Sequence, residues 1–316
     1  MELLEKDYIC EGQVNIHYIE IKNQRPALLL IHGQCMCSKD YESVFQELGE
    51  RYHVYAVDCP GHGKSEKRAE IYTCHRLGEL LCEFIQKNIG APCVVSGHSS
   101  GGILAAYIAG KLPEMVSGLL LEDPPFFNVE PEEMQNTFVY KDGFQLYHHY
   151  LNQTEEKEFM VYYLKNSYIF GLFGKKFQEK IAEEARQYLH THPGEELHLE
   201  KIKEASLHGY KYIYDFDFLF SESFYTGSWF EGVNQEKILQ DIGCPTVYLK
   251  AKTKYGPKKV LWAANTKESS DRMMKLMTNA ERVVVRSGHD IHYEKPEKFI
   301  KALDLLENNR QCSDFI

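Results

Sequence analysis

Short apolar runs of β-strand character recur along the first part of the chain, and they constrain its fold more than any other feature. They begin near residues 14, 26, 53, 93 and 117, with the sequences VNIHYIEI, PALLLIH, HVYAVD, CVVSG and SGLLLED. Helical patterns separate the later runs; in residues 74–88, for example, apolar residues recur at spacings of three and four. Alternating strands and helices predict an α/β fold, with a mostly parallel central sheet covered by helices on both faces.

The strand pattern stops after residue 125 and resumes at residue 244. It resumes with CPTVYLKA and ERVVVRSGHD, which the amphipathic stretch PEKFIKALDLLENN follows. The sequence in between is highly charged, compatible with helices, and holds 25 of the chain's 40 aromatic residues. We therefore expect residues 1–125 and 241–316 to form one core, and residues 126–240 to form a largely helical cap inserted into it.

Composition limits the classes of partner. The 316 residues include 36 Lys and Arg against 46 Asp and Glu, and the net charge of −10 disfavours binding to nucleic acid or anionic lipid. A small-molecule substrate is therefore expected. The N-terminal MELLEKDYIC has no uncharged run suited to a signal peptide, and no apolar run is long enough to span a membrane. These features favour a cytoplasmic protein and leave its oligomeric state open.

Cysteines and histidine pairs give no metal signal. The nine cysteines are scattered without a C-x-x-C pair, which favours reduced thiols over a zinc or redox site. Cys35 and Cys37 are either reactive thiols or small buried hydrophobes, and the second reading is favoured. The pairs His289 with His292 and His190 with His192 lack a third ligand in sequence, so no metal is predicted.

Residues 97–101, with the sequence GHSSG, lie between an apolar run and an alanine-rich helical pattern. They match G-x-S-x-G, the nucleophile elbow, and have the strand before and the helix after that this motif requires. Glycines on both sides would leave room for a strained turn that exposes Ser99, and the helix N-terminus would favour developing negative charge. The motif alone is weak because glycine and serine are common, and a strand-to-helix turn without chemistry is the alternative.

Three further segments follow other strands. They are LLLIHGQCMCS, VDCPGHGKSE and SGHDIHYEKPE, and with the elbow in this order the chain resembles the α/β-hydrolase family over roughly residues 14–125 and 240–306. The resemblance implies that Ser99 is the nucleophile and His289 the general base, with no metal or organic cofactor. It also implies an oxyanion hole formed by the backbone N–H groups of Gln34 and Ser100. His98 is expected to pack beside the turn, and His62 and Asp58 to brace their loop.

The triad acid departs from the common family pattern. Its usual place, after the strand PTVYLKAKTK, holds Lys252, Thr253 and Lys254. Some relatives, including pancreatic-type lipases and zearalenone lactonases, carry the acid one strand earlier, where this chain has LLLEDPPFF. Asp123, 24 residues after Ser99, is favoured over Glu122. An incomplete triad, with both carboxylates capping a turn, is the alternative.

The resemblance implies hydrolysis of an ester, lactone or related acyl substrate through an acyl-serine intermediate. The aromatic content of residues 126–240 favours a substrate with an apolar moiety. Two other functions stay open. A ligand-binding or signalling protein on the same fold would explain the lysines where the usual acid belongs, and a carbon-carbon bond hydrolase or perhydrolase would use the same triad.

Overall fold

A central sheet organises the protein, whose computed structural model describes residues 1–203 and 206–313. Its strands, among the described residues, are β1 (Leu4–Cys10), β2 (Val14–Ile21), β3 (Ala27–Ile31), β4 (His53–Val57), β5 (Cys93–His98), β6 (Val116–Glu122), β7 (Thr246–Ala251) and β8 (Ala280–Val285). They lie in the order β1-β2-β4-β3-β5-β6-β7-β8. The strands from β3 onward pair in parallel, whereas β2 is antiparallel to both β1 and β4. The predicted α/β fold with a mostly parallel sheet is confirmed.

The N-terminal strand β1 was not among the predicted strands. It is an edge strand, and its residues alternate between exposed and half-buried along LEKDYIC. Because one of its faces meets solvent, it lacks the continuous apolar run that identifies the central strands. Its sequence signal was the alternation of charged and apolar residues itself.

Helices cover both faces of the sheet. They are α1 (Glu42–Gly49), α2 (Cys74–Phe84), α3 (Ser100–Lys111), α4 (Gln145–Leu151), α5 (Phe159–Asn166), α6 (Tyr168–Gly171), α7 (Lys175–Thr191), α8 (Phe218–Thr226), α9 (Gln235–Gln240), α10 (Lys267–Leu276), α11 (Ile291–Glu294) and α12 (Pro296–Ser313). The helical pattern predicted over residues 74–88 forms α2 and a π-helical turn, Ile85–Ile89, and the amphipathic C-terminal stretch forms α12. The side chain of Thr73 caps α2 by accepting a hydrogen bond from the backbone N–H of Arg76.

Alternate residues of the central strands enter two separate hydrophobic cores. On β3, Leu29 and Ile31 belong to the larger core, which includes residues of α2 and α3, whereas Leu28 and Leu30 belong to the smaller one, which includes residues of α1 and α12. All four side chains are fully buried. Burial on both faces explains why these strands are apolar throughout, and the site below lies at the carboxyl edge of this rigid sheet.

The chain between β6 and β7 carries helices α4 to α9. No strand is found among its described residues, in keeping with the helix-compatible sequence. Its role as a cap, and the boundaries at residues 126 and 240, stay predictions. Within the described chain no helix is both long and apolar enough to cross a membrane.

Candidate active site

The turn at Ser99 is strained. Ser99 has φ 53° and ψ −121° and lies between the last residue of β5 and the first residue of α3. A positive φ is unfavourable for a residue with a β-carbon, so neighbouring hydrogen bonds must hold it. The N–H of Ser99 donates to the carbonyl of Glu122 at 2.9 Å, and its own carbonyl accepts from the N–H of Gly102 at 2.9 Å. These bonds fix the serine at the end of the sheet and at the N-terminus of α3.

Glycine is required on both sides of the turn. A β-carbon on Gly97 would lie 2.2 Å from the carbonyl oxygen of Gly101, and one on Gly101 would lie 2.3 Å from the carbonyl oxygen of His32. Both obstacles are backbone atoms of the packed core, which cannot move aside as a flexible side chain can. The two glycines of the GHSSG segment are therefore required by close backbone contacts, one between β5 and the start of α3 and one between α3 and the residue after β3.

The predicted oxyanion-hole donors lie on two segments that meet at the turn. Ser100 is the first residue of α3, so its N–H precedes the first intrahelical hydrogen bond. Gln34 follows Gly33, where a β-carbon would lie 3.1 Å from Cβ of Ser99. Among the described residues no group accepts a hydrogen bond from the N–H of Gln34 or of Ser100. Neither donor is therefore committed to a partner among the described residues, and their role in an oxyanion hole stays a prediction.

The buried side chain of His32 braces the loop that carries Gln34. Its Nε2 accepts from the backbone N–H of Cys59 at 2.9 Å, and its Nδ1 lies 2.7 Å from the carbonyl of Gly33. Since Nε2 accepts, Nδ1 carries the proton and donates to that carbonyl. Burial lowers the pKa of His32 and keeps the ring neutral.

The loop after β4 is held by Asp58 and packed by His62, as the sequence suggested. The Asp58 carboxylate accepts from the backbone N–H groups of Ser38 at 2.7 Å and Lys64 at 2.9 Å. The His62 ring is buried against Phe216 and Phe220 of the chain between β6 and β7. Both residues therefore fix the loop after β4.

Asp123 contacts His289. The Oδ2 atom of Asp123 lies 2.8 Å from Nδ1 of His289, while its Oδ1 accepts from the backbone N–H of Ala251 at 3.1 Å. The carboxylate is fully buried, whereas the imidazole is 36% exposed. Because a carboxylate only accepts, Nδ1 carries a proton and the neutral ring leaves Nε2 free to accept one.

The charge of Asp123 also affects the acidity of His289. Burial by itself would lower the pKa of His289, but the hydrogen bond and charge of Asp123 outweigh it and raise that pKa above its ordinary value. Asp123 has a positive φ of 44°, and its N–H donates to the carbonyl of Leu249 at 2.8 Å. Strand β7 thus holds the turn that aims this carboxylate at His289. Among the hydrogen bonds of the described residues, none joins Oγ of Ser99 to His289.

Glu122, the alternative acid, faces a different histidine. One of its carboxylate oxygens accepts from the backbone N–H of His292 at 2.8 Å and lies 2.9 Å from Nδ1 of the same residue. Nε2 of His292 lies 2.8 Å from a carboxylate oxygen of Asp40. The structure therefore pairs Asp123 with His289 and Glu122 with His292. The catalytic roles of Asp123, Glu122 and His289 stay predictions.

The lysines at the usual acid position serve the local structure. Nζ of Lys254 lies 5.2 Å from the centre of the Trp262 ring, a cation–π contact. The N–H of Lys252 donates to the carbonyl of Val285. The side chain of Thr253 binds Nζ of the buried Lys250 at 3.0 Å. This segment thus supplies no carboxylate to His289.

Two residues near the site were missed by sequence reasoning. Asp40 lies in the short helical turn Ser38–Tyr41, and its Oδ1 lies 3.0 Å from Nε2 of His208. Asp40 and His292 are 252 positions apart, and neither Asp40 nor His208 belongs to a recognisable motif. No signal in a single sequence joins such distant residues.

Two groups of histidine and carboxylate atoms are compact enough to be considered for a metal. In Asp40, His98 and His292, one atom from each lies within 4.8 Å of the others, as in His98, His289 and Asp290. Both nitrogens of His292 already bind carboxylates, and Nδ1 of His289 binds Asp123. The first group therefore lacks a full set of uncommitted ligand atoms, whereas in the second Nε2 of His289 is the atom that the predicted general base needs. We assign no metal to either group. His98 packs between the rings of His289 and His292, at 4.6 and 5.3 Å.

The two thiols in the segment after Gln34 are buried. Burial raises the pKa of Cys35 and of Cys37 to about 12, so neither is a thiolate at neutral pH. This fits their interpretation as small buried residues. No disulfide links the eight cysteines whose side chains the structure describes.

The chain between β6 and β7 reaches the loops of the site at several points. Ser221 of α8 accepts a hydrogen bond from the side chain of Gln34 at 3.3 Å, and the hydroxyl of Tyr147 of α4 lies 3.2 Å from Sγ of Cys35. Asp217 accepts from the hydroxyl of Tyr72 at 2.7 Å. Helices α4 and α8 therefore pack directly on the segment that carries Gln34.

Fold and site together define a class of protein. The model of the Alpha/beta hydrolase family matches residues 28–302, so this chain belongs to that family. The predicted family membership is confirmed. Solved structures agree on the fold. The E-2-(acetamidomethylene)succinate hydrolase has a TM-score of 0.65 at 16% identity, covering 97% of this chain and 100% of that chain. The enol-lactonase from Burkholderia xenovorans LB400 has a TM-score of 0.64 at 13% identity, covering 96% and 100%.

Curated relatives match part of the chain. A pimeloyl-[acyl-carrier protein] methyl ester esterase of Nitrosospira multiformis is 32% identical over 129 residues, which are 39% of this chain and 48% of that protein. An uncharacterized hydrolase of Bacillus subtilis is 25% identical over 204 residues, which are 61% of this chain and 74% of that protein. The aligned part thus spans about half the length of the esterase.

Proposed function

We propose that this chain is a serine hydrolase that cleaves an ester, a lactone or a related acyl substrate with an apolar moiety. The observation that carries the proposal is the 2.8 Å contact between Asp123 and His289, at the sheet edge where Ser99 occupies a strained turn. A nucleophilic serine needs a base, and the base needs a third group that orients it. The chain has a candidate for each part.

In the proposed reaction, Nε2 of His289 takes the proton of Ser99 as Oγ attacks the acyl carbon. The imidazolium that forms is stabilised by the buried carboxylate of Asp123. The N–H groups of Gln34 and Ser100 stabilise the oxyanion, and one such donor typically contributes about 3 kcal/mol. His289 then protonates the leaving group, and the same residues activate a water molecule to release the acid. No metal or organic cofactor is required in this scheme.

The proposed preference for an apolar substrate rests on the inserted segment. Its aromatic side chains pack partly on one another, as Phe144 does on Phe224 with ring centres 5.1 Å apart. Others, including Phe216 and Phe220, pack on each other and on His62 in the loop after β4. Both sets are buried, so the proposed apolar pocket rests on the aromatic content of residues 126–240 as a whole, acting as a cap. An apolar wall also excludes water from the acyl intermediate.

The names of similar proteins fit this class. The Nitrosospira multiformis protein is a methyl ester esterase and the Burkholderia xenovorans LB400 protein an enol-lactonase. For this chain, the acyl group and the leaving group stay open. Carbon-carbon bond hydrolysis and perhydrolysis use the same triad and are distinguished by product analysis.

Labelling and turnover together test the proposal. We expect a fluorophosphonate to label Ser99, located by peptide mapping, and Ser99→Ala to abolish hydrolysis of p-nitrophenyl esters. Across acyl chains of increasing length, kcat/KM should rise with size, because burial of apolar surface contributes roughly 25 cal/mol per Å². Labelling of a different serine would contradict the proposed nucleophile. A preference for acetyl over every longer ester would contradict the proposed pocket.

A binding protein on the same fold is the second candidate. The observation that favours it is the free Oγ of Ser99, which has no hydrogen bond to His289 among the described residues. Such bonds often tighten only when substrate is bound. The absence of both labelling and turnover in folded protein would support this reading.

A further inference from the structure

A second histidine lies beside the proposed triad, in a chain of polar side chains that the reaction scheme does not use. The chain runs from Glu122 through His292 and Asp40 to His208. The first three side chains are almost completely buried, at 0 to 1% exposure, and the His208 side chain is 10% exposed. Burying so many ionisable groups is unfavourable unless they are paired. The arrangement therefore needs an explanation beyond packing.

His292 is bound on three sides. Its backbone N–H and its Nδ1 both face the carboxylate of Glu122, at 2.8 and 2.9 Å, and its Nε2 faces Asp40 at 2.8 Å. Ionised carboxylates only accept hydrogen bonds, so the two ring contacts require a proton on each ring nitrogen. The geometry thus describes an imidazolium between two carboxylates.

The electrostatic environment agrees with this geometry. Burial alone would lower the pKa of His292, but the charges of Glu122 and Asp40 outweigh it and raise that pKa well above its ordinary value. Burial likewise opposes ionisation of Asp40, yet its contacts with His208 and His292 lower its pKa. Four other titratable groups face His289 or His292, namely Asp123, Asp290, His98 and Tyr41.

The position of His292 connects this chain to the proposed base. His289 lies just before α11 and His292 in its first turn, three residues apart. Each binds one of two consecutive carboxylates, Glu122 at the end of β6 and Asp123 just after it. The segment is thus attached to the sheet at two points. Loss of the second point would leave the hydrogen bond between His289 and Asp123 as the polar contact of this pair of histidines with the end of β6.

We propose that His292, held between Glu122 and Asp40, is the positioning residue that holds His289 in register with Ser99. The expected effect of His292 on kcat rests on the proposed function. Its expected effect on the pKa of His289 does not. His292 touches neither substrate nor reacting atoms in this scheme. It acts by fixing the backbone of the 289–292 segment and by balancing the charges of Glu122 and Asp40.

The chain ends in the inserted segment. His208 lies 3.0 Å from Asp40, and its ring stacks on Tyr293, the residue after His292, with centres 3.5 Å apart. Asp40 therefore contacts both His292 and the helical turn His208–Tyr210 of the inserted segment.

The test compares His292→Gln with a matched control. His53→Gln removes another histidine that faces a carboxylate, Glu20, at 2.6 Å. His53 is the first residue of β4 and lies at the amino end of the parallel strands, whereas Ser99 lies at their carboxyl end. For each protein, the titration of His289 is followed by NMR of histidine-labelled samples, with its signal identified by its loss in His289→Ala. The kcat and KM values for a p-nitrophenyl ester are measured across pH.

In His292→Gln we expect the titration midpoint of His289 to move to higher pH, because the positive charge that balances Glu122 and Asp40 is lost. The acid limb of kcat/KM should move with it. We expect kcat to fall by about 10²-fold, the effect of a displacement near 1 Å, with little change in KM. His53→Gln should leave the midpoint and both constants unchanged.

Glu122→Gln provides an independent check, because its amide oxygen can still accept from the N–H of His292. Removing this negative charge should move the His289 midpoint to lower pH, opposite to His292→Gln. An unmoved midpoint in folded His292→Gln would overturn the inference, as would the same direction of shift in both variants. Unfolding of both His292→Gln and Glu122→Gln would also overturn it, because the contact between these two residues would then serve only the stability of the fold.

The outcomes separate this inference from the proposed function. Opposite NMR shifts without turnover or Ser99 labelling in wild-type protein would support the electrostatic role of His292 and contradict the serine hydrolase. Normal turnover and labelling with an unmoved His289 midpoint would support the hydrolase and overturn the inference.

Discussion

Replacing Asp123 by asparagine tests the proposed triad most directly, because the structure predicts which way the amide will face. Oδ1 of Asp123 accepts a hydrogen bond from the backbone N–H of Ala251, so the oxygen of an asparagine should keep that place. Its NH₂ group then faces Nδ1 of His289, where Oδ2 now lies at 2.8 Å. An NH₂ group donates, so Nδ1 must accept, and the proton of the neutral ring moves to Nε2. The ring then cannot take the proton of Ser99.

A triad histidine in the wrong tautomer lowers kcat by about 10⁴-fold. This corresponds to about 5 kcal/mol of lost transition-state stabilisation, at 1.36 kcal/mol for each factor of ten. The substitution is nearly isosteric and preserves the bond to Ala251, so the fold should survive. The assay is kcat for a p-nitrophenyl ester together with the rate of fluorophosphonate labelling and the melting temperature.

Two controls complete this prediction. Glu122→Gln should reduce kcat far less, because Glu122 faces His292 and makes no hydrogen bond to His289 among the described contacts. Lys254→Ala should leave kcat nearly unchanged, since its ammonium group lies over the ring of Trp262. If folded Asp123→Asn and Glu122→Gln proteins were equally active, His289 would have no orienting partner and the binding-protein reading would be preferred.

Three further predictions follow from the same site. Ser99→Ala and His289→Ala should each reduce kcat by about 10⁶-fold, and the double variant should be scarcely worse, because both groups act in one proton transfer; additive losses would argue against a shared step. Since the pKa of His289 is raised and the base must be neutral, kcat/KM should rise through a midpoint above about 6.5; a midpoint below that value in a pH–rate profile would contradict the assigned base. Gly101→Ala should lower the melting temperature and abolish labelling, because its β-carbon would lie 2.3 Å from the carbonyl oxygen of His32. The control Gly243→Ala, whose β-carbon would have nothing within 4 Å, should do neither. Equal melting temperatures of the two variants would show that the turn can relax.

The features that could be predicted from sequence are local ones. Steric limits on the turn require glycine at residues 97 and 101, and the side-chain pattern defines the neighbouring strand and helix. A short segment was therefore enough to predict the strained turn at Ser99. Buried on both faces, the central strands are continuously apolar and were recognisable for that reason. The edge strand β1, half exposed along its length, lacked this signal.

By itself, the sequence determined an α/β-hydrolase fold, an interrupted sheet and two neighbouring carboxylates near the end of β6. Only the tertiary structure decided which carboxylate meets which histidine, because the choice depends on the positive φ of Asp123 and on its bond to Ala251, 128 positions away. The contacts of Asp40 with His292 and His208 were likewise decided by the packing of distant segments. Polar contacts between residues far apart in sequence leave no periodic pattern in a single chain, so they become visible only when the sheet brings those residues to one edge.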